Sequence, residues 1–370
     1  VQAMLDAGRE SFYGRDDTGT PTFWAIDGGA KPVPTDPNHL FIDTLRAKGA
    51  PVETNASASL HDMGEGILLL EFHAKMNAIG GDIIALVGKS IEEVDRNFDG
   101  LVIGNQGDHF SAGANLMMIL LEAQEQNWED LDLMIRAFQR ATMSVKYARK
   151  PVVVAPFGMT LGGGAEFTLH GQRVRASSEL YIGLVEVGAG VVPAGGGCKE
   201  LYLRNLEHSA GPGDLHAVLR STFEAIGMAK VSTSAIEARD LRFLRATDRI
   251  TMNPDRLIQD AKETVLSMVR EGHRAGSPRT DIPVLGRAGK ATLEVGLFNM
   301  ADARFISEHD RKIGSKLAHV LSGGDLSGTQ EVTEQYLLDL EREAFLSLLG
   351  ERKTLERIQS LLKTGKPLRN

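Results

Sequence analysis

The chain of 370 residues holds a single cysteine, Cys198. Without a second thiol there is no intrachain disulfide, and a thiolate metal cluster is excluded. Cys198 lies among small residues and reads as a buried small hydrophobe. Proline is sparse at 13 residues, and no run of about 18 apolar residues occurs that would serve as a membrane-spanning helix. The first twenty residues carry Asp6, Glu10, Asp16 and Asp17 where a secretory signal needs an apolar stretch. These features predict a cytoplasmic protein, although residue 1 is Val, which points to a natural start further upstream. Basic residues are also in short supply: Lys and Arg number 41 against 49 Asp and Glu, a formal net charge of −8. Such a balance disfavours non-specific nucleic-acid binding, and an anionic ligand needs a local basic rim. Known nucleotide fingerprints are missing, both the G-x-G-x-x-G turn and the phosphate loop ending in G-K-[ST]. Ser111 follows His109-Phe110, so the G-x-S-x-G nucleophile elbow is missing too.

Glycine, by contrast, is plentiful, with 40 residues, above the roughly 7% that is typical. From residue 64 onward the glycines separate apolar runs of strand length. Ile67–Phe72, 101–104 and 151–155 read as buried strands. Between them lie two helical patterns, one carrying Ile84, Val87, Ile91 and Val94 behind Asp82 as cap, the other carrying Trp128, Leu131, Ile135, Phe138 and Val145. Strand and helix alternating at this spacing predict right-handed β-α-β units and an α/β core. Residues 1–55 read as a tail and linker, with a hairpin at Asp17-Thr18-Gly19 and prolines at 32, 34, 37 and 51. A hairpin alone is marginal in water, so the tail is expected to dock on something. Beyond residue 215 the pattern is helical. Ser234-Ala235-Ile236-Glu237 has the form of a capping box, and Asn253-Pro254 opens a helix with Leu257, Ala261, Val265 and Met268 aligned. Two further helices are expected, around Phe305, Ile313, Leu317 and Leu321 and around Leu337, Leu340, Ala344 and Leu348. Gly350 and Gly365 are candidate helix ends.

Two glycine-bearing turns each join a buried strand to a helix: 108–115 and 160–166. Small residues there let a ligand approach the main chain, and amides at a helix N-terminus carry partial positive charge. Two such amides converging on one oxygen make an oxyanion hole. Taken singly, each turn is equally explained by backbone geometry. Two carboxylates add chemistry. Glu166 follows Gly162-Gly163-Gly164, and Glu186 stands in Ile182-Gly183-Leu184-Val185-Glu186-Val187-Gly188. Burial among such neighbours raises a carboxyl pKa, so one of the pair can stay protonated while the other ionises. The competing reading is that each glutamate caps a backbone turn.

Residues 57–270 resemble the crotonase, or enoyl-CoA hydratase/isomerase, superfamily. The stretches that carry the resemblance are Lys75-Met76-Asn77-Ala78-Ile79, Phe110-Ser111-Ala112-Gly113-Ala114-Asn115-Leu116, Leu161-Gly162-Gly163-Gly164-Ala165-Glu166 and Gly183-Leu184-Val185-Glu186, followed by Pro193-Ala194-Gly195-Gly196-Gly197. The resemblance implies a spiral core of repeated ββα units over residues 56–270, with a C-terminal helical region at 271–370. It implies that the amides of Ala112 and Gly163 form the oxyanion hole for a thioester carbonyl. Glu166 and Glu186 would then hold the attacking water and deliver a proton to C2. Lys75, Met76, Ala78, Gly113, Ala114, Asn115 and Gly162 would line the acyl-CoA site. No metal or redox cofactor is implied for hydration; coenzyme A is part of the substrate. His109, His170 and His208 are scattered and read as structural or surface residues. Asn115 stands where the family often has Asp, and Leu184-Val185 where it often has Gln-Pro, changes that bear on acyl preference. Met117, Met118 and Leu121 are candidates for the acyl wall or for plain packing.

The tail and the C-terminal helices resemble a narrower group, bacterial fatty-acid oxidation proteins in which an NAD-dependent 3-hydroxyacyl-CoA dehydrogenase precedes the hydratase. That likeness makes residues 1–55 a remnant of an upstream dehydrogenase domain. The resemblance to the wider superfamily implies a trimer-based oligomer. Hydration of a trans-2-enoyl-CoA is the expected reaction. Double-bond isomerisation on the same scaffold and a non-catalytic acyl-CoA-binding or assembly module remain open alternatives.

Overall fold

The computed structural model describes residues 1–370 except 19, 35, 37 and 210–213. Its organising element is a seven-stranded sheet in the order Arg249–Thr251, Arg173–Ser177, Val152–Val154, Gly100–Gly104, Ile67–Phe72, Ala58–Asp62, Glu53–Thr54. The first five strands run parallel, and the last two are antiparallel. Strands Ile67–Phe72, Gly100–Gly104 and Val152–Val154 are buried along their whole length, as their unbroken apolar runs predict for parallel strands covered on both faces.

The helix Gly81–Asn97 turns a slightly different face inward from the one expected. Ile83, Leu86, Val87, Ser90 and Val94 are buried, while Ile84 and Ile91 only flank the core. Asp82 does not cap this helix; its carboxylate accepts a hydrogen bond from Ser57 Oγ at 3.2 Å. In the helix Trp128–Lys146, Leu131, Ile135 and Val145 are buried as expected, and Trp128 is exposed.

A second, shorter ladder fixes the site. Strand Gly158–Leu161 pairs in parallel with Leu180–Gly183, and bridges from Ser111 to Thr160 and from Ile79 to Ala114 extend the row. Each turn of the chain thus supplies one strand to the large sheet, one short segment to the small ladder, and a helix. This is the repeated ββα spiral. Its effect is to lay segments 77–80, 111–115, 158–163 and 180–186 side by side, although they are distant in sequence.

At the N-terminus, Tyr13–Arg15 pairs with Pro21–Trp24 across the expected hairpin, whose Gly19 lies outside the described residues, and Ala30–Pro32 adds a third strand. Pro37 of the proline cluster also lies outside them. The helix Ile42–Lys48 docks on the main body: Ile42 and Leu45 join Ile67, Leu69, Val102, Val153, Leu257 and Ile258 in one apolar cluster. Residues 40–55 therefore complete the core, and Glu53–Thr54 is the edge strand of its sheet.

Asn253 accepts from the Asp255 amide, and Pro254–Arg256 leads into the helix Leu257–Arg270. Ser234 caps Ala235–Asp240 by accepting from the Glu237 amide, but the Glu237 carboxylate returns to Thr233 rather than closing the box. The C-terminal region forms four helices where periodicity gave two: Arg287–Asp302, Glu308–Leu321, Glu334–Leu349 and Arg352–Thr364. The unforeseen pair carries few buried apolar side chains, Leu293 and Leu297 in one and Ile358 in the other. Phe305 stands exposed ahead of Glu308–Leu321. Gly365 ends its helix in the left-handed conformation with φ 68°, whereas Gly350 keeps a right-handed one. One apolar cluster runs from Leu120 through Leu201 to Ile358, so these helices share the core of the spiral. Among the described residues no helix is long and apolar enough to cross a membrane.

Candidate active site

Glu166 lies in the first turn of the helix Gly163–His170 and is 2% exposed. Its Oε1 accepts from the amides of Gly195 at 2.8 Å and Gly197 at 2.9 Å. Burial raises its pKa to about 7, with the two amides pulling the other way. Glu186 opens the 3-10 turn Glu186–Ala189 at the end of the small ladder. A methyl group on Gly162 would stand 3.2 Å from Glu186 Oε1, so the bare glycine is what admits the second carboxyl to the start of the Glu166 helix. Oε2 of Glu186 is buried without a hydrogen-bond partner among the described residues. Burial, and then the charge of Glu166, push this carboxyl well above the usual range. The spiral therefore brings the two sequence-predicted carboxyls together, and burial favours the protonated form of both; their titration belongs to the pair.

Two backbone amides lie close to one another beside these carboxyls. A methyl group on Gly163 would lie 3.5 Å from the Ala114 nitrogen, and one on Gly113 would lie 3.7 Å from the Gly163 nitrogen. Neither amide finds an acceptor among the described residues. Here the expectation for Ala112 is corrected. Its amide donates to the Met76 carbonyl at 3.0 Å and is not free. Gly113, at φ 104°, reverses the chain, so alternate amides point to opposite sides and Ala114 takes the open position. The turn Lys75–Asn77 that receives the Ala112 amide is itself held in left-handed geometry, with φ 57° at Met76 and 48° at Asn77. Asn77 Nδ2 donates to the His109 carbonyl at 2.9 Å, and Ser111 Oγ donates to the Asn77 carbonyl at 2.7 Å. Ser111 Oγ also accepts from the Gly113 amide at 3.1 Å, so its hydroxyl is committed to the turn.

The remaining predicted positions surround this centre. Lys75 and Met76 are exposed and Ala78 is half-buried. Asn115 caps the helix Leu116–Gln124 by accepting from the Met118 amide at 3.4 Å. Met117, Met118 and Leu121 on that helix are exposed. A separate cleft of about 640 Å³ opens beside the Lys75–Asn77 turn, lined by Arg15, Arg46, His73, Met76 and His109 among others, and neither Glu166 nor Glu186 borders it.

Sequence reasoning missed a third carboxyl. Glu341, on the helix Glu334–Leu349, is fully buried; its Oε2 accepts from the Gly196 amide at 2.8 Å and its Oε1 from the Lys199 amide at 2.7 Å. Burial and then Glu166 push it well above the usual range. Its signal was present: Leu337, Glu341, Ala344 and Leu348 share one helical stripe. His170 is a structural partner at the centre. Its Nδ1 lies 2.7 Å from the Glu166 carbonyl and its Nε2 3.3 Å from Lys199 Nζ. A carbonyl only accepts and an ammonium only donates, so Nδ1 carries the proton. Burial, then Lys199, lower its pKa to about 3. Cys198 is fully buried next to these groups, and its Sγ donates weakly to the Pro193 carbonyl.

Comparison with known proteins agrees with this architecture. Solved structures with the same fold include an enoyl-CoA hydratase from Bacillus halodurans, with a TM-score of 0.56 and 14% identity over 83% of this chain and 100% of that one. Another is an enoyl-CoA hydratase/isomerase from Mycobacterium paratuberculosis, at 0.55 and 16% over 84% of this chain and 100% of that one. The fold is that of the crotonases. Residues 65–212 match the family described as enoyl-CoA hydratase/isomerase. It is 47% identical over its whole length to a probable 3-hydroxyacyl-CoA dehydrogenase of Bacillus subtilis (strain 168), covering 46% of that protein. It is 26% identical over 84% of its length to a putative fatty acid oxidation complex trifunctional enzyme of Rickettsia felis, covering 39% of it. The chain thus spans less than half the length of these curated relatives.

Proposed function

We propose that this site adds water to a trans-2-enoyl-CoA to give a 3-hydroxyacyl-CoA, a step of fatty-acid β-oxidation. The observation that carries the reading is the pair of neighbouring carboxyls, both pushed towards the protonated form by burial, beside two backbone amides without an acceptor among the described residues. In this reading the thioester oxygen accepts from the amides of Ala114 and Gly163. Each such donor is worth about 3 kcal/mol as charge develops on the oxygen. Ionised Glu166 takes a proton from the water whose oxygen bonds to C3. Protonated Glu186 gives its proton to C2 as the double bond opens. One water is consumed, and the proton taken by Glu166 restores the pair after exchange with solvent. In this reading Lys75, Met76, Ala78, Gly113, Asn115 and Gly162 line the acyl-CoA path.

Glu166→Gln and Glu186→Gln each remove one proton-transfer group without changing side-chain volume. Each is expected to lower crotonyl-CoA hydration by about 10²- to 10⁴-fold, with an unchanged circular dichroism spectrum. Loss of enoyl absorbance at the wild-type rate in both variants overturns the reading. Faster consumption of a 3-enoyl-CoA than of a 2-enoyl-CoA by the wild-type chain replaces it with isomerisation.

The relatives' names and lengths further support a larger enzyme in which an NAD-dependent 3-hydroxyacyl-CoA dehydrogenase oxidises the product of this site. A full-length gene product that lacks NAD-dependent oxidation of 3-hydroxyacyl-CoA removes that part of the proposal. The single, buried cysteine fits a cytoplasmic setting.

A further inference from the structure

Segment 195–199 is shared by two carboxyls. Gly195 and Gly197 donate to Glu166, while Gly196 and Lys199 donate to Glu341. Gly196 makes this alternation possible. At φ 102° it reverses the peptide plane, and a methyl group there would stand 2.6 Å from the His170 ring. The same segment is tied to the Glu341 helix by a second route. Gln139 Nε2 donates to the carbonyls of Ala194 and Leu338, each at 2.8 Å, and Thr142 Oγ1 donates to the Gly195 carbonyl at 2.9 Å. A carboxyl in this position costs desolvation that an apolar side chain would not. Its two amide bonds are the return for that cost.

We propose that Glu341, which lies outside the matched domain, is a positioning residue of the reaction centre: it holds segment 195–199 so that the Gly195 and Gly197 amides meet Glu166 and keep that carboxyl aimed at the water. The inference rests on the hydratase reading. It makes the C-terminal helical region a contributor to turnover and not only a cover for the core.

The titratable groups facing the two carboxyls are Glu186 from the 3-10 turn, His170 from the Glu166 helix, and Cys198 and Lys199 from the helix Gly197–His208; Lys199 in turn pairs with Glu200 and Glu334. The amide bonds favour ionised Glu166, so losing them moves its ionisation to higher pH. Removing a neighbouring negative charge alone would move it lower. Simple loss of packing would leave it in place.

The test uses Glu341→Gln and Glu341→Ala in the full chain. The Gln variant keeps one acceptor and the Ala variant none. A 1 Å displacement can cost about 10²-fold, so kcat for crotonyl-CoA is expected to fall by about 10-fold in Gln and about 10²-fold in Ala, with KM little changed. The acid limb of the pH profile is expected to move upward, and the amides of segment 195–199 to exchange hydrogen faster in the substrate-free protein. An acid limb that stays in place or moves downward overturns the role, as does native exchange at 195–199. If the Ala variant does not fold, the Gln variant carries the test. If the wild-type chain hydrates no 2-enoyl-CoA, the hydratase reading falls, and exchange at 195–199 still decides whether Glu341 holds the segment.

Discussion

Two buried charge clusters meet at the helix Gly197–His208, and they are built on opposite logic. In one, Glu166, Glu186 and Glu341 gather carboxyls and hold Glu166 and Glu341 with backbone amides. In the other, Lys199 pairs with Glu200 and with Glu334 at 2.8 Å, while Lys146 pairs with Glu200 at 2.5 Å and Glu334 at 3.1 Å. The Tyr147 hydroxyl donates to Glu334 as well. Burial alone would raise every one of these carboxyls. Lys199 and Lys146 outweigh it for Glu334, held to about 2, and for Glu200, held well below the usual range. In the first cluster Lys199 also pulls Glu166 and Glu341 down, but burial outweighs it and the carboxyls are raised. Direct ion pairs with Lys199 and Lys146 are what set Glu200 and Glu334 apart.

Removing the cation should break the contrast most sharply. Lys199→Met leaves two buried carboxylates short of a partner, and breaking such pairs typically costs about 3–5 kcal/mol. Urea denaturation at pH 7 measures it; a change below about 1 kcal/mol would mean that Lys146 alone suffices.

The pH dependence separates the clusters. Glu166 has a raised pKa, so between about 4.5 and 7 the native state keeps a proton that the unfolded chain releases, and stability falls as pH rises through that window. The contribution is at most about 3 kcal/mol, and Glu166→Gln should flatten that part of the curve. Glu334 has a depressed pKa. Its contribution is present above about 4.5 and disappears as pH falls toward 2. Urea midpoints across pH 2–8 for the wild type and Glu166→Gln read both slopes, and identical curves would contradict the assignment.

An effect of opposite sign should come from Glu186→Gln. At pH 7 the native state holds the Glu186 proton against an ionised unfolded state, so the substitution relieves a burden and is expected to raise stability while the proposed hydration is lost. Below pH 4 the two proteins should melt together, since the carboxyl is then neutral in both states. A Tm lowered at pH 7 would show that Glu186 is needed for folding.

How far the sequence reveals this arrangement depends on the kind of group. Glu166 and Glu186 stand out because glycine and apolar neighbours are poor company for a solvated carboxylate. The buried strands stand out as unbroken apolar runs. An amide, by contrast, has no side chain to announce it. Whether Ala112 or Ala114 faces the site turns on the φ of Gly113, a property of the folded backbone. Glu341 hides for another reason. In Glu334-Gln335-Tyr336-Leu337-Leu338-Asp339-Leu340-Glu341-Arg342-Glu343 it is one acid among several, and only its place on the apolar stripe separates it from half-buried Asp339. The helix Arg287–Asp302 escaped because Gly289 and Gly296 interrupt a sparse pattern that acquires its partners only in the tertiary structure.

Gln139 straddles Ala194 on one side and Leu338 on the other, and so bridges a loop of the spiral to a helix nearly two hundred positions later. Trimming the polypeptide behind residue 270 would leave that amide with a dangling proton and strand a bare cavity where Glu341 had been. The stretch that matches the family, 65–212, is thus smaller than the stretch whose contacts surround the centre.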